Sequence, residues 1–260
     1  MQGTRDVTEP RLFIEADLKP DQPLTLTGNQ HHYLAKVLRL GAGATVKLFN
    51  GRDGEWRGTI DHMGRRDAEI VPGEQLRPQV AEPDLWLLFA PIKGKRVDAI
   101  AEKAGELGVS RILPVLTRRT VVSRVNVERL QANAMEAAEQ CERLSVPEVG
   151  EPRDLSAVLD DWPTGRRLYL ADERADAMPI ARALAEEASR TETVPSAAVL
   201  IGPEGGFEET EKQMVRALPD CVPVSLGPRL LRADTAVFAT LALWQAHLGD
   251  WRGGDNGWPA

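Results

Sequence analysis

Apolar residues in the first 75 positions occur in short runs that turn residues separate. These runs lie at 11–14, 24–26, 45–49, 55–60 and 68–71. Residues 50–54, with the sequence Asn-Gly-Arg-Asp-Gly, are typical of a hairpin because Asn and Gly accept a positive φ. One helix is predicted over 31–38, where apolar residues recur at helical spacing. Residues 1–75 are therefore predicted to form a small, mainly β domain.

A proline-rich stretch follows this domain. Pro72, Pro78 and Pro83 fall within twelve residues, a composition that favours an extended linker. The predicted linker proper covers residues 76–84.

From residue 85 onward the pattern changes to alternating strands and helices. Continuous apolar runs predict strands at 85–90, 111–116, 168–171, 197–201 and 221–225. Apolar stripes at helical spacing predict helices at 97–107, 127–143, 179–189, from about 208, and 234–248. Repeated βα units indicate an α/β domain over 85–260 with an open, largely parallel sheet.

The net negative charge of the chain is unevenly distributed, and this affects whether the chain can bind nucleic acid. The chain of 260 residues has 32 Lys and Arg against 39 Asp and Glu, and a net charge of −7 taken alone argues against nucleic-acid binding. Residues 151–260 contain the whole deficit, with 11 basic and 18 acidic side chains. Residues 93–129 instead contain nine basic and four acidic side chains. This stretch favours a phosphate-binding track over an ordinary solvated face.

Other classes of protein are disfavoured by composition. The longest apolar stretch without Asp, Glu, Lys or Arg, at 235–249, has fifteen residues, fewer than the roughly 18 to 20 that span a bilayer. The first ten residues contain no apolar core of a secretory signal, so we expect a cytoplasmic protein without a membrane helix. Two cysteines without CxxC spacing and four histidines argue against a disulfide framework and against a metal site.

Two loops after the last predicted strands are the candidates for chemistry, because ligands of parallel sheets lie beyond the carboxyl ends of strands. The first, residues 201–207, reads Ile-Gly-Pro-Glu-Gly-Gly-Phe and precedes an acidic helix start. It matches neither common phosphate-binding pattern, and acidic side chains there would repel phosphate. The loop suits a neutral or cationic ligand, although a simple tight turn is the alternative. We expect that a Cβ at Gly205 would crowd this loop.

The second loop spans residues 225–236. Gly227 and Pro228 turn the chain sharply, and nearby leucines offer apolar surface for a flat purine. Arg232 is either an ion-pair partner of Asp234 or a donor that points at a substrate.

The two loops, GPEGGF and LGPRLLRADTA, resemble those of the RsmE family of 16S rRNA uracil N3-methyltransferases, a SPOUT family. The resemblance covers nearly the whole chain and includes further motifs at 31–34, 37–39, 103–109, 119–122, 136–141, Arg143 and Pro147. The chain departs from the family at three positions, with Asp234 where Glu is more frequent, Thr120 where Ser is usual and Glu142 where a small residue is common.

The resemblance implies a SPOUT fold with a C-terminal trefoil knot, a PUA-like N-terminal β-barrel and a homodimer. It also implies S-adenosylmethionine as the cofactor, bound mainly through backbone. The implied cofactor-binding residues are Leu170, Ala171, Ile201, Gly202, Pro203, Glu204, Gly205, Gly206, Leu226, Gly227, Leu230, Leu231 and Arg232.

The implied reaction methylates N3 of a uridine in small-subunit rRNA, with the 30S subunit as the expected substrate. Arg232 is the expected donor to a uracil oxygen, with Glu204 or Asp234 as the carboxylate that orients or accepts the proton. Asp234 has the alternative role of capping its helix. The residues expected to contact RNA are Arg11, His31, His32, Arg39, Lys93, Lys95, Arg96, Arg118, Arg119, Arg124 and Arg143.

Three other functions stay open at this point. The nearest is a SPOUT enzyme that methylates a ribose hydroxyl or a tRNA base. The second is a ribosome-assembly factor that retains the fold without catalysis. A dinucleotide-dependent oxidoreductase is disfavoured because its glycine fingerprint is missing.

Overall fold

The computed structural model describes residues 9–122, 124–172, 177–191 and 193–252. The chain divides into two compact units. The first consists of Met1–Ala81 and Ala138–Val146, and the second of Glu82–Ala137 and Pro147–Ala260.

The first unit is built on one five-stranded sheet in the order β1-β3-β4-β5-β2. Its strands are β1 Arg11–Phe13, β2 Leu24–Thr27, β3 Thr45–Phe49, β4 Glu55–Met63 and β5 Asp67–Arg77. Only the β1–β3 pair is parallel. A short helix α1, Gly28–His32, continues into a π-helical turn, Tyr33–Val37, where the sequence predicted one helix.

The predicted hairpin at 50–54 joins β3 to β4 as expected. The Asn50 side-chain oxygen accepts the backbone N–H groups of Arg52 and Asp53 at 3.0 and 2.8 Å. Gly54 has φ +78°, and a Cβ there would lie 2.2 Å from the carbonyl oxygen of Arg77. The turn chemistry therefore fixes the register of these two strands.

The predicted domain boundary is wrong in two respects. Strand β5 continues to Arg77, so it includes Pro72 of the proline-rich stretch and the first two residues of the linker predicted at 76–84. Residues 138–146, assigned by sequence to the second domain, belong to the first unit. The reason is a set of hydrogen bonds from Arg11, whose guanidinium binds the carbonyl oxygens of Ala138, Glu139 and Arg143 at 2.8 to 3.0 Å.

A buried ion cluster anchors these bonds. Glu55 is 3% exposed and accepts from Arg11 at 2.7 Å and from Arg77 at 3.0 Å. Burial alone raises the pKa of Glu55, but the hydrogen bonds from Arg77 and Arg11 outweigh it and hold the pKa below its usual value. Glu55 is therefore an ionised partner of both arginines.

The second unit contains an all-parallel sheet in the order β11-β13-β10-β12-β6-β7-β8, with β9 paired to β7. Its strands are β6 Leu85–Phe89, β7 Arg111–Leu116, β8 Glu148–Val149, β9 Arg153–Asp154, β10 Arg167–Ala171, β11 Met178–Pro179, β12 Ala197–Ile201 and β13 Cys221–Ser225. The helices are α2 Arg96–Glu106, α3 Val127–Gln140, α4 Leu155–Asp160, α5 Ile180–Ala188, α6 Glu209–Arg216 and α7 Ala233–His247, and a 3-10 turn covers Asp250–Arg252.

The sheet is covered on both faces, as its continuous apolar strands predicted. In β6, Leu85, Leu87 and Phe89 pack into one hydrophobic cluster with residues of α2, α5 and α7. Leu88 points to the opposite cluster, which contains residues of α4 and α6. The alternation is that of a strand buried on both sides.

The predicted α/β architecture is confirmed, while some short elements were not predicted. The sequence missed helix α4 and the two-residue strands β8, β9 and β11. The trefoil knot stays a prediction. Among the described residues, no helix combines the length and the apolar character needed to cross a membrane.

Candidate active site

A cavity of about 560 Å³ opens at the carboxyl ends of β10, β12 and β13. Eleven of the thirteen residues predicted to bind the cofactor line it: Ala171, Ile201, Gly202, Pro203, Glu204, Gly206, Leu226, Gly227, Leu230, Leu231 and Arg232. Leu170 lies in the core without exposed surface, and Gly205 faces outward from the lining. The topology thus gathers two loops separated along the chain, as expected for parallel strands that end at one edge.

The glycines of the first loop have different roles. A Cβ at Gly202 would lie 2.7 Å from the Phe207 ring, which packs into the core, so this position must stay small. Gly206 has φ +68°, and its N–H donates to Pro203 O at 2.8 Å. The expectation for Gly205 is wrong, because a Cβ there would meet only Arg119 at an ordinary 3.6 Å.

The second loop places Arg232 at the start of helix α7. Arg232 is exposed, lines the cavity, and pairs with no carboxylate among the described residues. An ion pair with Asp234 is therefore not formed. The Asp234 carboxylate accepts the N–H of Thr235 at 3.0 Å within the first turn of α7 and does not line the cavity. The N-cap of α7 is Arg232, and no side chain caps this helix, so the capping role expected of Asp234 is not observed; its charge lies in the first turn of α7.

Glu211 connects the first loop to a basic turn at residues 117–120. Its side chain is 7% exposed and accepts the backbone N–H of Glu208 at 2.9 Å, at the start of α6. Its other oxygen accepts the N–H of Arg118 at 2.8 Å. One buried carboxylate therefore holds together two loops that are distant in sequence.

Two arginines predicted to contact RNA bond to the first loop. Arg119 donates to the carbonyl oxygen of Gly205 at 2.9 Å. Arg96 donates to the Glu204 carboxylate at 2.9 Å, so the candidate catalytic carboxylate is part of an ion pair. These bonds hold the loop against the basic stretch. Both side chains are partly exposed, and their contacts with RNA stay predictions.

A buried charge cluster of Asp172, Lys212 and Arg216 lies beside the cavity and was not predicted from the sequence. Asp172 follows strand β10, and its side chain is 1% exposed. Its oxygens accept from Lys212 at 3.3 Å and from Arg216 at 2.7 Å, and Asp172 and Lys212 both line the cavity. The only sequence signal was an Asp directly after a buried strand.

A second cavity, of about 600 Å³, lies at the carboxyl ends of β6 and β7. Lys93, Lys95 and Arg124 line it together with Arg129 and several valines. The first three are exposed and pair with no described carboxylate. Arg129, in contrast, pairs with Asp98. Arg118 is exposed on the neighbouring turn, so the structure brings four of the predicted RNA contacts to this end of the sheet.

The predicted RNA contacts in the first unit divide into buried and exposed residues. Arg11 is 8% exposed with all its guanidinium nitrogens bonded, and His31 is 6% exposed with its ring 3.2 Å from Gly64 O. Both predictions are wrong, since neither side chain is accessible. His32 and Arg39 are exposed, and Arg143 is half-buried and donates to Ser145 at 3.2 Å.

No group of three or more His, Cys, Asp or Glu side chains suited to a metal ion occurs in the part of the chain that the structure describes.

The chain matches known sequences over most of its length. A family described as RNA methyltransferase domain matches residues 80–245, and one described as RNA methyltransferase PUA domain matches residues 26–73. The chain is 30% identical over 233 residues to ribosomal RNA small subunit methyltransferase E of Rickettsia conorii, covering 89% of this chain and 93% of that protein. The chain belongs to the ribosomal RNA small subunit methyltransferase E family.

Other members of the methyltransferase E family agree in sequence and in fold. The Synechocystis member is 32% identical over 241 residues, covering 92% of this chain and 76% of its own. A crystal structure of the Neisseria gonorrhoeae member bound to S-adenosyl methionine has a TM-score of 0.80 at 27% identity, covering 94% of this chain and 99% of that chain. The predicted family, the RNA methyltransferase class and the PUA-like N-terminal half are confirmed.

Proposed function

We propose that this protein transfers a methyl group from S-adenosylmethionine to N3 of one uridine in 16S rRNA. The observation that carries the proposal is the cavity formed jointly by the GPEGGF and LGPRLLRADTA loops, with Arg232 at its wall. Membership in the methyltransferase E family and the cofactor-bound Neisseria relative support it.

The cavity suits this cofactor in size and in chemistry. A volume of about 560 Å³ lies within the usual range of about 300 to 1,000 Å³ for small-molecule sites. Ile201, Leu226 and Leu231 provide apolar walls for an adenine ring, and the loop backbone provides hydrogen-bonding groups. When bound, the cofactor supplies a methyl group already activated by a sulfonium, so the protein must supply an activated nucleophile.

The nucleophile is uracil N3, which carries a proton in the neutral base. Loss of this proton spreads negative charge onto O2 and O4, and a cation beside either oxygen stabilises that charge. Arg232, exposed at the cavity wall without a carboxylate partner among the described residues, is suited to this task. Glu204, oriented by Arg96, is an exposed carboxylate at the same cavity and can accept or direct the proton.

The target uridine must be unpaired, because N3 lies on the pairing edge of the base. The exposed cations Lys93, Lys95, Arg118 and Arg124 are suited to the phosphates of a folded RNA segment. In the first unit, His32 and Arg39 are the accessible candidates for further contacts.

A homodimer is part of the proposal. Helix α7 is apolar on nearly all sides. Phe238, Ala239, Ala242 and Leu243 are only half-buried, although Phe238 and Leu243 also pack against the core. A helix that is apolar all round is normally covered, and a second copy of the chain would cover this one. We place the enzyme in the cytoplasm, with the assembled 30S subunit as its substrate.

A methyl-transfer assay with labelled S-adenosylmethionine tests the proposal on two substrates, 30S subunits and protein-free 16S rRNA. We expect label in rRNA, with a higher rate on 30S subunits. Calorimetry with the cofactor separates the alternatives. Binding without transfer to either substrate contradicts the proposed reaction, and absence of binding supports a non-catalytic assembly factor.

A further inference from the structure

One cation of the candidate cofactor cavity has no role in the proposed reaction. Lys212 lies on α6 with its side chain 13% exposed, and it lines the cavity beside Asp172. Its Nζ is 3.3 Å from Asp172 Oδ1, while Arg216 Nη2 is 2.7 Å from Asp172 Oδ2. A lysine held inside a ligand cavity by its contact with a buried carboxylate has a fixed position from which it can contact a ligand.

Two cations of the described residues contact one buried carboxylate in this cluster. Among the described residues, Lys212 and Arg216 share the single carboxylate of Asp172, whose side chain is 1% exposed. Interactions of largely buried charges are screened less by water and salt than those of exposed charges. The other cations that line this cavity, Arg229 and Arg232, are exposed. Among the described cations that line the cavity, Lys212 is therefore the least exposed, and the Asp172 carboxylate beside it also lines the cavity.

We infer that Lys212 binds the carboxylate of the cofactor's methionine group and thereby sets the direction in which the cofactor enters. The inference rests on the proposed function, because it takes S-adenosylmethionine as the ligand. That molecule has one anionic group, the carboxylate, and two cationic groups, the sulfonium and the ammonium. Lys212 attracts the first and repels the other two. The methionine carboxylate then lies at the carboxyl end of β10, and the sulfonium lies away from Lys212.

A comparison of two ligands tests this contact without any measurement of catalysis. Calorimetry gives the affinity for S-adenosylmethionine and for decarboxylated S-adenosylmethionine, which keeps both cationic groups and lacks the carboxylate. Removal of a charge-assisted hydrogen bond should weaken binding of the complete cofactor by about tenfold or more in Lys212→Met. Binding of the decarboxylated compound should stay the same or improve in that variant, and Lys212→Arg should retain the preference for the carboxylate.

Arg216→Met is the matched control. It removes the other cation that pairs with Asp172, but Arg216 does not line the cavity. We expect it to lower the unfolding temperature without changing the ratio of the two affinities. Thermal unfolding of each variant shows that the binding-competent fold is present.

Two results would overturn the inference. Equal weakening of both ligands in Lys212→Met would assign Lys212 a merely structural role and leave the proposed function intact. Failure of the unaltered protein to bind either compound would overturn the proposed function, and this inference with it.

Discussion

The link from Glu211 to the basic turn leads to a prediction that the geometry makes quantitative. Glu211→Gln keeps the size of the side chain but replaces one of two accepting oxygens by an NH₂ group. The carboxylate accepts N–H groups of Glu208 and Arg118 at 2.9 and 2.8 Å, so the amide must place a donor against one of them. Loss of one charge-assisted hydrogen bond at a 7% exposed site costs about 1.5 to 3 kcal/mol of stability.

Denaturant unfolding measures this loss, and amide hydrogen exchange at Arg118 and Glu208 localises it. Glu209→Gln is the matched control, because it makes the same charge change in the same helical turn at an exposed position. We expect the control to lie within about 0.5 kcal/mol of the unaltered protein. We also expect weaker cofactor binding in Glu211→Gln, since the turn and the GPEGGF loop are fixed together. Equal stability of the two variants, with unchanged exchange at Arg118, would refute the reasoning.

Three further predictions concern substitutions at Arg232, at the loop glycines and at Glu55. Arg232→Ala should lower kcat for methyl transfer by about 10² to 10³ with nearly unchanged RNA affinity in a filter-binding assay, whereas near-normal kcat would make Arg232 structural. Gly202→Ala should destabilise the fold by about 1 to 3 kcal/mol through collision with Phe207, and Gly205→Ala should not; equal thermal unfolding of the two would contradict this. Because the folded pKa of Glu55 is lowered, its stabilisation should be complete above about pH 5 and lost as the pH falls below about 4. Glu55→Gln should therefore be less stable at pH 7 and flatter in its acid unfolding profile, and an unchanged profile would argue against the ion cluster.

The elements that the sequence predicted well are those that a local pattern determines. The strands at 111–116, 197–201 and 221–225 have their predicted bounds, because a run of apolar residues between turn signals leaves little freedom. Helix α4 was missed because it is only six residues long. The site loops were found because the carboxyl ends of parallel strands converge, and the family resemblance identified their chemistry.

The features that the sequence could not reveal are the long-range partners of charged residues. Arg11 is a cation in an N-terminal strand, and nothing local shows that it bonds to carbonyl oxygens 127 to 132 residues away. Arg96 and Arg119 bond to a loop 108 and 86 residues further along the chain, which a count of local charge could not reveal. The contact between Lys212 and Asp172, which are 40 residues apart, could not be predicted for the same reason. Net local charge predicts where phosphate can bind, but pairing in the fold decides which cations remain available.

The central claim is the position of the transferred methyl group, and nucleoside mass spectrometry measures it most directly. The enzyme is incubated with S-adenosylmethionine and 30S subunits that lack the modification, and the rRNA is then digested to nucleosides. The account predicts one new 3-methyluridine per 16S rRNA, absent when Arg232→Ala replaces the unaltered enzyme. New 2′-O-methyl nucleosides, or methylated tRNA in a parallel reaction with no change in 16S rRNA, would contradict it.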